Sequence, residues 1–443
     1  MTGAVSATPD VASPETGVRV VPLVRWALYA TVFLIPLEWP DKLPFEVSTL
    51  AGSAFLLTTL LQPVASFAWL PWAMCAFAIY FFAEMLAMVI QAGGYPAGVF
   101  MDQVAKSSLL FILWVLFAWA CSNLLRNERM YRGALWALVV GCLIRSALPL
   151  AGIARTAHVQ GTGGERVTAL GQNANQSAHV LAIGLLVFTG LTYVQAREPS
   201  RLRVLGWGAV LLIAAGMVQT GSRGGLVVFS VGLMVYLMTG RTLRLRIRNV
   251  GVALLGFGAI LFLISRSEVM QGRLARAEEG SFSQREHIFP TLVGMFREKP
   301  LLGWGPITNK YELASRLGDA IHDRRDAHNI LLEVLTSTGL AGTIPFCFGL
   351  WLCLRSAWTA RAGPRGVVPL AILLAVLAGN MSENRISGPM LWLILGCALA
   401  SGSVIPARPS PRAPGIDPGH PPAGRWWERL LPRPNAHIVG HVR

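Results

Sequence analysis

Asp326-Ala-His-Asn-Ile-Leu-Leu-Glu333 closes the one long polar interruption, Ser265 to Gly339, in a chain that otherwise runs as apolar stretches of about twenty residues. The interruption carries Arg266, Arg273, Arg276, Arg285, Arg297, Lys299, Lys310, Arg316, Arg324 and Arg325, together with His287, His322 and His328. Hydrocarbon offers no partner for such groups, so the segment sits outside the bilayer. Chemistry on a water-soluble group is expected there, under a cap built from this segment.

Working outward, composition gives the class. Hydrophobic residues make up 53% of the chain and charged residues only 14%, against about a quarter charged in a soluble domain. Mean hydropathy is +0.51. The expected fold is all-α and polytopic in a membrane. A net charge of +15 with a pI near 10.3 would also suit a nucleic-acid binder. Arginines flanking membrane spans give the same total, so no nucleic-acid partner is expected. All six cysteines fall inside apolar runs, away from metal-ligand or disulfide spacing.

Twelve spans are expected, at about 20–38, 45–63, 67–91, 105–123, 132–153, 176–196, 203–219, 225–240, 248–265, 335–356, 366–381 and 388–405. Residues 1–18 read as a disordered tail rather than a signal peptide. Residues 19–405 form the transmembrane domain, with its large outer loop at 265–334, and 406–443 are a Pro-rich basic tail. Arg126, Arg129 and Arg132, then Arg197, Arg201 and Arg203, Arg241 to Arg248, and Arg355 to Arg365 fall in alternate short loops. The positive-inside rule puts that set and both termini in the cytoplasm, and the long loop outside.

Arginine in the opposite set of loops is then informative. Arg223 lies in Gln219-Thr-Gly-Ser-Arg-Gly-Gly225, pinned between two spans. It reads either as a snorkelling anchor or as part of a phosphate cradle. Gly221, Gly224 and Gly225 would open the backbone to a ligand, and the next span offers its N–H groups to an anion. In the long loop, Ser283-Gln-Arg-Glu286 has capping-box spacing, which puts Arg285 in the first turn of a helix. Ile288, Phe289, Leu292, Met295 and Phe296 give that helix an apolar side suited to the membrane surface, with Pro290 bending or shortening it. Pro300-Leu-Leu-Gly-Trp-Gly-Pro306 makes a tight turn with Trp304 at headgroup level.

His328 precedes the tenth span and reads as a cap or as a base oriented by Asp326 or Glu333. Five residues separate His328 from Glu333, which does not suit shared metal ligation, and no metal is expected. Glu84 and Arg145 lie at similar depth in the third and fifth spans, so an ion pair lining a cavity is expected.

Gly221-Ser-Arg-Gly224, Arg285 followed by Pro300-Leu-Leu-Gly-Trp-Gly305, His328-Asn-Ile-Leu-Leu-Glu333 and Gly171-Gln-Asn-Ala-Asn175 together resemble the bacterial O-antigen ligase and polymerase superfamily. The likeness covers roughly residues 155 to 340 and is carried by the order and spacing of the motifs. It implies a metal-independent, inverting glycosyltransferase of the GT-C-like, lipid-carrier type without cofactor, in the bacterial inner membrane with its site facing the periplasm. The implied donor is a glycan on undecaprenyl pyrophosphate, and the implied acceptor is lipid A-core. Carried onto this chain, His328, Arg223 and Arg285 are the expected catalytic residues. Arg145, Asn175, Gly221, Ser222 and Asn329 are the expected substrate-binding residues.

Polymerase and protein O-oligosaccharyltransferase remain alternatives within the superfamily, and a transporter of the lipid-linked glycan remains outside it. His287 and His322 stay as rivals to His328 for the base.

Overall fold

The structure is a computed structural model, and it describes residues 20–39, 46–91, 97–158, 165–194, 202–237, 242–278, 285–318, 324–383 and 385–403. Both expected tails, Ser283 and His322 lie outside the described residues. The helices are α1 (Pro22–Leu34), α2 (Val47–Thr59), α3 (Pro63–Phe67), α4 (Trp72–Gln91), α5 (Ala97–Leu124), α6 (Glu128–Ala147), α7 (Ala174–Thr189), α8 (Leu202–Gln219), α9 (Arg223–Leu237) and α10 (Leu243–Ser265). After them come α11 (Glu268–Glu278), α12 (Arg285–Glu298), α13 (Thr308–Arg316), α14 (Ile330–Ala360), α15 (Val368–Asn380) and α16 (Pro389–Gly402). Between α6 and α7, β1 (Arg155–His158) pairs antiparallel with β2 (Glu165–Thr168), with Ala157 opposite Arg166.

Among the described residues, six helices are long and apolar enough to cross a membrane, and six further apolar helices are shorter. The expected helical class holds, with six helices rather than twelve long enough to span a membrane. The core is built around α7, which is buried without a break from Ser177 to Thr189. A helix apolar on every side can only be satisfied by neighbours all round. Helices α6, α8, α9 and α15 supply them. Helix α16 is buried in the same way from Met390 to Ser401.

Part of the long polar segment plugs a broken helix. Inside α14, Gly339 adopts φ 58° and ψ −157°, which interrupts the hydrogen-bond ladder. The turn from Pro300 to Gly305 lies across the break. Trp304 and Gly305 N–H donate to the Thr336 and Ser337 carbonyls at 2.8 and 2.7 Å, and the Pro300 and Leu301 carbonyls accept from Leu340 and Ala341 at 2.8 and 3.0 Å. Four bonds to the turn thus meet backbone groups that would be costly to leave open in an apolar setting. The two backbones touch at glycine on both sides: a Cβ on Gly303 would lie 2.5 Å from the Ser337 carbonyl carbon, and one on Gly339 would lie 2.4 Å from that of Leu301. Gly339→Ala is expected to lower thermal stability by about 1–3 kcal/mol from backbone strain alone, before the clash is counted. An unchanged melting temperature in detergent would contradict this account of the turn.

Helix α12 forms where the spacing predicts it, with Pro290 inside it. Its apolar stripe is not laid on a membrane surface, however. Ile288, Leu292 and Met295 are buried with Leu313 of α13 and Ala327, because the loop folds over its own apolar residues. Trp304 closes that cluster, donating from Nε1 to the Met295 carbonyl at 2.9 Å, with the Lys299 ammonium 3.7 Å above its ring.

Candidate active site

A cavity of about 420 Å³ opens where α7, α15 and the start of α16 meet the turn between α13 and α14. Ile35, Val180, Ile183, Val376 and Leu391 give it apolar walls, whereas Lys310, Asp326, His328, His179, Glu383, Arg385 and Gln176 give it charged and polar ones. Mixed walls of this kind suit a ligand that is part sugar or phosphate and part hydrocarbon.

The sequence-predicted residue that lines this cavity is His328. Its backbone is left-handed, at φ 52°, a conformation that non-glycine residues seldom adopt without support. Support comes from both sides. The preceding N–H, of Ala327, donates to the buried carboxylate of Glu333 at 3.3 Å. Following it, Asn329 caps α14, its Oδ1 accepting from Leu331 and Leu332 N–H at 3.0 and 3.1 Å. Asn329 is thus a helix cap, and its remaining amide reaches the Met381 carbonyl at 3.5 Å. Asp326 pairs with Lys310 at 2.6 Å. Burial alone would raise the Asp326 pKa, but Lys310, with His328 and Arg385 nearby, holds it below its usual value. Asp326 is thus an ionised carboxylate that shares the cavity wall with His328.

A second imidazole, absent from the sequence-based set, shares the cavity. His179 on α7 places Nδ1 3.5 Å from Glu383 Oε2. Glu383 also receives Arg385 Nε at 3.1 Å and Nη2 at 2.9 Å. Arg385 reaches across to Gln176 as well, and its backbone N–H donates to Asn380 Oδ1 at 3.0 Å. These residues come from α7 and from the turn before α16, as far as 209 positions apart in the chain. The available signal was charge in a short turn between two apolar runs.

Arg223 opens α9 and is half-buried. Ser222 caps the helix, its Oγ accepting from Gly225 N–H at 3.4 Å, and Gly221 takes the left-handed φ of 64° that the turn needs. The glycines do not leave an open cradle. A Cβ on Gly224 would lie 2.7 Å from His179 Nε2, one on Gly225 2.5 Å from Ala178 Cβ, and one on Gly221 2.7 Å from Val269 Cγ1. They let α7 and α11 press against the turn, which puts His179 of the cavity wall directly over the residue after Arg223. Asn175 accepts from Arg166 Nη2 at 3.0 Å.

The expected Glu84–Arg145 ion pair is not formed. Arg145, 2% exposed, donates to the Pro36 carbonyl at 2.5 Å and to Gln172 and Ser177. Glu84 instead lies beside Tyr80 on α4, within electrostatic reach of Glu333. The two share a depth but belong to different helix pairs, which depth in the sequence does not encode. Arg145→Met should therefore destabilise the junction of α6 and α7, at about 1.5–3 kcal/mol for each charge-assisted bond lost. Thermal unfolding of the purified variant checks this, and a wild-type transition would contradict it. Arg285 begins α12 as expected, with its side chain outside the described residues. His287 is exposed on the same helix.

Compared with known proteins, residues 208–347 match the family model described as O-antigen ligase. That stretch runs from α8 through Arg223 and His328 into α14. No curated protein matches the chain.

Proposed function

Starting from a chain that belongs, through residues 208–347, to the O-antigen ligase superfamily, we propose that it joins a lipid-linked glycan to lipid A-core. The donor is a glycan on undecaprenyl pyrophosphate, and the site faces the periplasm from the inner membrane. A hydroxyl oxygen of the acceptor attacks the anomeric carbon from the face opposite the diphosphate. The carbon–oxygen bond to phosphate breaks, its electron pair stays on the diphosphate, and the configuration inverts.

His328 takes the hydroxyl proton as the new bond forms, with Asp326 keeping the neighbourhood negative. Arg223 stabilises the charge that builds on the leaving diphosphate, with Arg285 as its partner on the sequence argument. A planar guanidinium can grip two phosphate oxygens at once, so it can serve where another enzyme would use a divalent cation. The donor already stores the energy of the bond, so no nucleotide is needed.

One observation carries most of this reading. His328 is held in a left-handed backbone conformation at the wall of the cavity, fixed by Glu333 on one side and Asn329 on the other. Strain held this firmly at a cavity wall points to a positioned functional group. The test is to incubate purified protein with lipid-linked glycan and lipid A-core and to follow where the glycan goes. Glycan on the core supports the ligase reading, and lengthening glycan that stays on the carrier lipid overturns it in favour of a polymerase.

A further inference from the structure

The turn before α9 gathers more positive charge than Arg223 alone. Arg166, on β2, lays its guanidinium against this turn, donating from Nε to the Thr220 carbonyl at 2.7 Å and from Nη2 to Asn175 Oδ1 at 3.0 Å. Arg273, on α11, comes from the other direction. A Cβ built on Gly221 would lie 3.5 Å from Arg166 Cγ and 3.5 Å from Arg273 Cδ, so both stems reach the same residue. Arg223 Nη1 lies 3.4 Å from the Arg273 carbonyl oxygen.

Both acceptors of Arg166 are neutral, and among the described residues no carboxylate pairs with it. A half-buried guanidinium whose own partners are neutral gains from an anion brought to it. Burial and the charge of Arg273 already push Arg166 down to about 10. Helices α7 and α9 both begin at this cluster and add their positive ends to it. Asn173 and Gln176, flanking Asn175 at the start of α7, line the cavity, so the cluster stands at its edge.

Resting on the glycosyl-transfer reading above, we infer that Arg166 binds the diphosphate of the donor, sharing its two phosphates with Arg223 and Arg273. A single phosphate would engage the cluster only in part. The same contact holds the diphosphate lipid left behind after transfer, so Arg166 also bears on product release.

The probe is inorganic pyrophosphate, with inorganic phosphate as comparison, titrated onto the purified full-length protein without donor or acceptor. Wild type is expected to bind pyrophosphate more tightly than phosphate. Arg166→Gln should weaken pyrophosphate binding about tenfold, the worth of a charge-assisted contact. Arg166→Lys should fall between, because an ammonium keeps the charge and loses the fork. Thermal unfolding is recorded in parallel, and if Arg166→Gln does not fold, the lysine variant decides. Pyrophosphate affinity within about twofold of wild type in the folded variant overturns the inference, as does a wild type that does not prefer pyrophosphate. Since no glycan is present, transfer to a different acceptor would sink the proposed reaction while leaving this result standing.

Discussion

His328→Ala is expected to cut glycan transfer by about 10²–10⁴-fold while donor binding persists, the loss general-base catalysis predicts. The backbone at His328 is held by its neighbours, because Glu333 and Asn329 fix the residues on either side. Alanine there can keep those two contacts, so the variant should fold. Its pH–rate profile should lose the acid limb that protonation of the base imposes. His287, exposed on α12, serves as the comparison, and His287→Ala should turn over at the wild-type rate. His179 is the more demanding rival, since it lines the same cavity and has Glu383 beside it. An active His328→Ala together with an inactive but folded His179→Ala would move the base to α7. A transporter, which has no hydroxyl to deprotonate, would be little affected by either change at His328.

The second large effect is expected at Arg223. Arg223→Met should lower the transfer rate by about 10²–10³-fold, the usual cost of removing one stabiliser of charge developing on a leaving group. Arg223→Lys should recover only part of it, because a point charge cannot replace a planar fork. The residue opens α9 and Ser222 caps that helix, so methionine leaves the cap in place. The rate loss should therefore come without a matching loss of melting temperature. A variant that unfolds, or one that transfers within about threefold of wild type, would return Arg223 to the role of an anchor at a helix end.

Much of the architecture was legible because hydrophobicity sets it. A run of twenty apolar residues has few alternatives to a helix in a membrane protein, and long apolar helices form where such runs occur. Helix α12 was also legible, from the spacing of Ile288, Leu292 and Met295. Its partner was not: the same stripe fits a membrane surface or the loop's own core, and the choice depends on α13 folding back over it.

The site divides in a similar way. His328 and Arg223 stand out because each is a polar residue at an unusual place in the span pattern. The closures around them are long-range and leave no local trace. Glu383 reaches His179 from the turn before α16. Arg166 reaches the Thr220 turn from a hairpin that hydropathy passes over. Gly224 was legible as a glycine needing close approach, but what approaches is the His179 ring rather than a ligand. Arg145 was legible as a buried charge, with the wrong partner assigned, because sequence gives depth and not azimuth around the bundle.

The central claim is that an imidazole and a guanidinium on one end of the bundle drive departure of the diphosphate. Single-turnover transfer by the folded His328→Ala/Arg223→Met double variant, with lipid-linked glycan and lipid A-core both supplied, tests it most directly. The account predicts no transferred glycan above the level seen without protein. Transfer by the double variant within about tenfold of the wild-type rate would contradict it.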